Sequence, residues 1–122
     1  MRGIREFEEE VFEAIRTRKY VELPPVIWER GVATIKLRFR IRGVRGGFLQ
    51  FYYNQENRKL SLAFVIGNNR VYGHDYIPAY GWHRHLFPSG NHDYSENGRR
   101  SVTVDEFMKG VDEILRDMMD KG

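Results

Sequence analysis

The spacing of hydrophobic positions divides this chain into segments of different period. Between residues 4 and 19, Ile4, Phe7, Val11, Phe12 and Ile15 recur three and four residues apart, which predicts an amphipathic helix. Glu6, Glu8, Glu9 and Glu10 fall in its early turns, and Arg16, Arg18 and Lys19 in its last, an order that suits the helix macrodipole. Leu23-Pro24-Pro25 ends it, because proline lacks an amide hydrogen and disfavours helical geometry in the residue before it. Over residues 32–42 the period falls to two. Ile35, Leu37, Phe39 and Ile41 alternate with Lys36, Arg38, Arg40 and Arg42, predicting a strand with one apolar and one wholly cationic face.

Three further strands are expected at 48–54, 59–66 and 70–75. The links between them are short and rich in Gly and Asn, as in Gly67-Asn68-Asn69, which favours antiparallel hairpins. Residues 76–101 lose the pattern and read as a long loop, of a length that is often functional. A second helix is predicted at 104–119. Thr103 and Glu106 make a capping-box pair at its start, and Phe107, Met108, Val111, Ile114, Leu115 and Met118 form its buried stripe. The expectation is one α+β domain over residues 1–122. It has an N-terminal helix, a four-stranded antiparallel meander, a long His-rich loop and a C-terminal helix, with both helices on one sheet face.

Composition narrows the class. At 122 residues and 41% hydrophobic content, the chain suits a single packed core. No apolar run approaches the ~20 residues of a membrane span, and the N-terminus has no apolar signal core. The absence of cysteine removes disulfides, thiolate chemistry and sulfur-ligated zinc. A cytoplasmic protein without membrane association is expected.

Candidate chemistry is concentrated in one place. His74, His83, His85 and His92 all lie in HDYIPAYGWHRHLFPSGNHDY, together with Asp75 and Asp93. Histidine exchanges protons near neutral pH and is also the commonest metal ligand. The plain alternative is an aromatic-rich loop closing over a core. In an extended His83-Arg84-His85, the two imidazoles project to one side and Arg84 to the other. For acid–base work the fitting reaction is RNA phosphodiester cleavage without a cofactor. One histidine would deprotonate a ribose 2′-hydroxyl and the other protonate the leaving oxygen. Arg84 would act as phosphate clamp and Asp75 as the orienting carboxylate. A second possibility is a divalent metal ion such as zinc on His74, His83, His85 and His92.

The cationic strand offers a binding surface. Lys36, Arg38, Arg40 and Arg42 stand ~6.6 Å apart, near a nucleic-acid backbone repeat. Trp82 and the tyrosines can stack on bases. The net charge of +3 does not separate RNA from an acidic polypeptide. A non-enzymatic module binding nucleic acid or protein through this basic face is therefore the alternative function.

LAFVIGNNRVYGHDYIPAYGWHRHLFP, followed by SVTVDEFMKGVDEILRDM, resembles the TumE-type toxins of prokaryotic toxin–antitoxin pairs. The likeness covers roughly the last half of the chain and rests on Asp75, Gly81, His83, Arg84, His85 and the amphipathic C-terminal helix. It implies a small intracellular toxin neutralised by an antitoxin protein encoded beside it. The resemblance carries no catalytic assignment.

Overall fold

The computed structural model describes residues 2–121. Helix α1 (Ile4–Ile15) is followed by β1 (Ile27–Arg30), β2 (Thr34–Arg40), β3 (Gly47–Asn54), β4 (Leu60–Ile66), β5 (Asn69–Ile77), β6 (Gly81–Leu86) and β7 (Asn91–Asp93), then helix α2 (Val104–Lys121). The strands pair antiparallel in chain order as one seven-stranded meander. The α+β class and the terminal helices agree with the expectation. The four-stranded sheet and the long His-rich loop do not.

Three strands lay outside the expected meander, for two reasons. The Ile-Trp-Glu-Arg of β1 is too short for a period-two signal, and three of its four residues are exposed. In β6 and β7 both faces carry polar or amphipathic residues. Trp82 and Arg84 point to one side and His83 and His85 to the other, so no apolar alternation marks β6. Tight turns close both hairpins. Tyr80 N–H donates to Ile77 O (2.9 Å) before Gly81 at φ 79°, and Gly90, at φ 75°, donates to Leu86 O (2.7 Å). Positive φ is inexpensive only for glycine, so these two residues fix where the strands reverse.

Helix α1 stops at Ile15, not at residue 19. The chain leaves the helix there and brings Val21 into an antiparallel bridge with Ile41. Arg18 does not finish the helix; it crosses to α2, where Nε and a terminal nitrogen donate to Asp112 at 2.9–3.1 Å. At the start of α2 the capping box is reciprocal. Thr103 N–H donates to Glu106 Oε1 (3.0 Å) and Glu106 N–H to Thr103 Oγ1 (3.1 Å). This helix runs to Lys121, two residues beyond the expected end.

Both helices pack on the face formed by Leu37, Phe39, Phe51, Leu62 and Phe64, to which Phe7, Val11, Phe107 and Val111 add. Edge-to-face contacts link Phe39 to Phe51 and Phe51 to Phe107 with ring centroids 5.9 and 5.8 Å apart, and Tyr72 stacks on Phe107 at 5.6 Å. Each such pair adds about 0.5–1.5 kcal/mol beyond area burial. The opposite face carries no helix and presents the polar residues of β2 to β7. No described helix is long and apolar enough to cross a membrane.

Candidate functional site

Strand pairing lays two rows across the open face. Lys36, Tyr52, Ser61, Asp75 and His83 stand opposite one another in turn. So do Arg38, Gln50, Ala63, Gly73, His85 and His92. The cationic strand and the histidine segment, far apart in sequence, thus occupy opposite ends of the same surface. At about 4.8 Å per strand, Lys36 and His83 are separated by about 19 Å.

Asp75 is the centre of this face. Arg70 grips it in a bidentate pair at 2.7 Å on each oxygen, and Arg70 also donates to Leu62 O at 3.1 Å. Arg70 and Asp75 are five positions apart, which in a regular strand would put them on opposite faces. A bulge across Phe64/Val65 reverses the parity: Tyr72 faces Phe64, but Arg70 faces Val65. Gly73 completes the arrangement, because a Cβ there would run into Leu62 O and the Arg70 guanidinium. Burial alone would raise the pKa of Asp75. The hydrogen bonds from His85 and Arg70 outweigh it and hold the carboxyl well below the usual range, so Asp75 is ionised.

The imidazoles around Asp75 have unlike surroundings. Nε2 of His85 lies 3.1 Å from Asp75 Oδ2, and its Nδ1 lies 3.0 Å from Gly90 O. Both partners are oxygens that only accept, so each ring nitrogen of His85 faces an acceptor. His83 places Nε2 3.3 Å from the same Asp75 oxygen. Burial pushes the His83 imidazole towards its neutral form, against the pull of Asp75, and His85 and His92 act in the same direction as burial. His92 is exposed on β7, with Nδ1 2.9 Å from Tyr94 Oη. One ring nitrogen from each of His83, His85 and His92 lies within 4.8 Å of the other two, so these three can hold a metal ion.

Four of the residues expected at the site lie elsewhere. Arg84 points to the helix-covered side and donates to Asp93 Oδ2 from Nε (3.0 Å) and a terminal nitrogen (2.6 Å), so it cannot clamp a phosphate over His83 and His85. His74 also faces the helices. Its Nε2 meets Tyr72 Oη at 3.1 Å, and burial, reinforced by Arg84 and Arg70, pushes its pKa down to about 4. It cannot join the other three histidines around an ion. Trp82 packs beside Tyr76 on that same covered side, with ring centroids 5.6 Å apart. Arg42 lies past the end of β2 and donates to Lys19 O at 2.9 Å. Lys36, Arg38 and Arg40 do lie on the open face, where the Arg38 and Arg40 guanidinium groups stack on Phe48 at 3.9 and 5.0 Å. Glu29 of β1 stands opposite Lys36 in register.

Sequence reasoning passed over Arg70, Ser61, Lys59 and Tyr94. Arg70 was hidden by the bulge; the one signal for it was an unexplained glycine within a strand, at Gly73. The structure shows what they build. A hollow of about 500 Å³ is lined by Asp75, His83, His85 and His92, with Tyr80 and Tyr94 as aromatic walls. Beside it a second hollow of about 460 Å³ is lined by Lys36, Lys59, Tyr52 and Arg70, and Asp75 and Ile77 border both. Together they form a trough with cations at one end and imidazoles at the other. Such a trough can hold an extended polyanion and move protons at one point along it. No family model, curated protein or solved structure matches this chain, so the site is read from its own geometry.

Proposed function

We propose that this protein binds single-stranded RNA along the open sheet face and cleaves it in the histidine hollow by proton transfer, without a metal. The observation that carries this reading is the pair of imidazoles on one carboxylate, one biased to the neutral form by burial and one with both ring nitrogens set against acceptor oxygens. Paired groups whose surroundings separate their proton affinities are suited to act as base and acid.

In this reading neutral His83 takes the proton of a ribose 2′-hydroxyl. The oxygen attacks the adjacent phosphorus, and the bond from phosphorus to the 5′-oxygen breaks. His85 gives its Nε2 proton to that oxygen, exchanging Asp75 for the leaving group. The products are a 2′,3′-cyclic phosphate and a free 5′-hydroxyl, and the net proton count is unchanged. Asp75 aligns both rings, and Arg70 supplies its lasting counter-charge. Lys36 and Lys59 hold phosphates upstream or downstream of the cut, and Tyr52, Tyr80 and Tyr94 offer stacking surfaces. A cytoplasmic toxin held in check by an acidic antitoxin over the cationic trough is the biological setting implied by the TumE-type resemblance.

The test is incubation of the purified chain with labelled single-stranded RNA in strong chelator. Cleavage to cyclic-phosphate ends, abolished in His83→Ala, is expected. Binding without cleavage would replace the enzyme with a nucleic-acid-binding module. Neither binding nor cleavage would sink the RNA reading.

A further inference from the structure

We propose that His83, His85 and His92 form a binding site for a divalent late first-row transition ion, zinc being the reference case, and that the bound ion shuts off the proton relay. The exclusion rests on the RNA-cleavage reading; the ion site does not.

The three rings come from one hairpin. His83 and His85 share a face of β6, and His92 stands directly opposite His85 on β7. Their centroids are 4.4–5.2 Å apart, and one nitrogen of each lies within 4.8 Å of the others. Around a tetrahedral ion with bonds of about 2.0–2.1 Å, ligand nitrogens sit about 3.4 Å apart. Small ring rotations close that difference, and exposed His92 on three-residue β7 has room to make them.

A second feature points the same way. Histidines that bind metals are oriented through the ring nitrogen not on the metal, by a hydrogen bond to a carbonyl, carboxylate or water. Here Nδ1 of His85 donates to Gly90 O, and Nδ1 of His92 lies on Tyr94 Oη. In the neutral ring, that bond keeps the proton on Nδ1 and leaves the lone pair on Nε2, which lies beside Asp75 at the wall of the hollow. Tyr94 also stacks on His83, 5.5 Å between centroids and 30° between planes, so one side chain braces two of the three rings. The Arg70 charge is spent on Asp75, which leaves a net neutral pair beside the ion.

Three imidazoles without a thiolate select zinc, copper or nickel over magnesium and calcium, which prefer oxygen. The fourth position opens to the hollow. An ion on His85 Nε2 takes the place of the proton that the relay requires, so ion and acid cannot coexist at that atom.

Zinc chloride titrated into the full chain, followed by calorimetry, tests the site. One ion per chain is expected, with magnesium in large excess failing to compete. His92→Ala should weaken zinc at least about ten-fold, and Tyr94→Phe, which keeps the ring stack but loses the hydroxyl, should weaken it less. Melting curves without zinc should match the wild type for His92→Ala, since that side chain is exposed, while the zinc-induced rise in melting temperature disappears. No zinc binding, competition by magnesium, or unchanged affinity in His92→Ala would overturn the site. In the cleavage assay, equimolar zinc should suppress the wild type more than ten-fold and spare His92→Ala. Cleavage stimulated by zinc would overturn the exclusion and the metal-free mechanism while leaving the ion site standing. Zinc binding by a chain that cuts no RNA would overturn the exclusion alone.

Discussion

His74 and His83 sit on neighbouring strands and are almost equally buried, 7% and 5% exposed, yet they differ in what they can do. His74 lies on the covered face. Its Nδ1 is buried and meets no partner among the described residues, and its Nε2 lies on Tyr72 Oη. His83 lies on the open face against an ionised carboxylate, at the wall of a hollow about 500 Å³ in volume. Burial alone therefore does not mark a site. What separates the two is convergence: several proton-exchanging groups aimed at one accessible volume. The same holds for Asp75 and Asp93. Each is held by an arginine, but only Asp75 also touches two imidazoles.

The largest contrast should appear in catalysis. His85→Ala should reduce RNA cleavage by ~10²–10⁴, the usual contribution of a positioned acid or base. Arg84→Ala, one residue away on the covered face, should leave kcat within about two-fold, since its guanidinium is bonded to Asp93 and does not reach the hollow. A single-turnover assay on both variants checks this. Equal losses would mean that the two faces are not functionally distinct.

Acid stability should separate the faces next. The folded chain holds His74 near pKa 4 against an ordinary value of 6.5, so over that interval the unfolded chain binds the additional proton. Stability falls as pH drops from about 6.5 to 4, by about 3 kcal/mol from this residue alone. Arg84 and Arg70 act with burial here, and Asp75 and Glu106 act against it. Asp75, with its depressed pKa, adds a loss of the same sign only below the ordinary carboxylate range. His74→Leu should flatten the upper part of the curve while retaining RNA cleavage. Urea melts at pH 7 and pH 4.5 give the difference, and an unchanged slope in His74→Leu would assign the acid sensitivity to other groups.

Gly73→Ala should cost about 1–3 kcal/mol through overpacking. The added carbon meets backbone at Leu62 O, so the strand has to move, and the Arg70–Asp75 pair moves with it. Thermal melting reads the stability. Cleavage should fall further than stability predicts, because Asp75 loses its alignment; a variant that melts early but cuts at the wild-type rate would show that Arg70 does not position the carboxylate.

Much of this architecture was legible in the sequence, and the limits have physical causes. Period-two alternation in 32–42 and the capping box at Thr103 and Glu106 announced β2 and α2, because each buries one clean apolar face. The same logic failed over 76–101. There β6 sets His83 and His85 against Trp82 and Arg84, so an apolarity criterion sees a loop. The approach of Asp75 to the HRH segment followed from a short hairpin. Arg70 did not, because a bulge moves it across the sheet without a mark in the local pattern. Arg84 was placed correctly by alternation, opposite the two histidines, but a phosphate role asked it to act on a face it does not reach.

The smallest effect concerns the arginines of β2, on the open face outside the trough. Arg38→Ala with Arg40→Ala removes two cations from the open face, both stacked on Phe48 and more than a strand away from Asp75. Each phosphate contact to single-stranded nucleic acid contributes about 0.7 to the slope of log affinity against log salt. The double variant should therefore bind RNA more weakly and lower that slope by about 1.4, with single-turnover cleavage at saturating RNA unchanged. Binding isotherms between low and moderate salt measure it. The outcome sharpens the comparison within the open face itself: β2 supplies affinity through charge, and the β5–β7 hairpins supply chemistry through proton transfer. A slope that stays at the wild-type value would place the RNA phosphates on Lys36 and Lys59 alone, whereas a fall in the saturated cleavage rate would show that the cations at β2 also set the register of the scissile bond in the hollow.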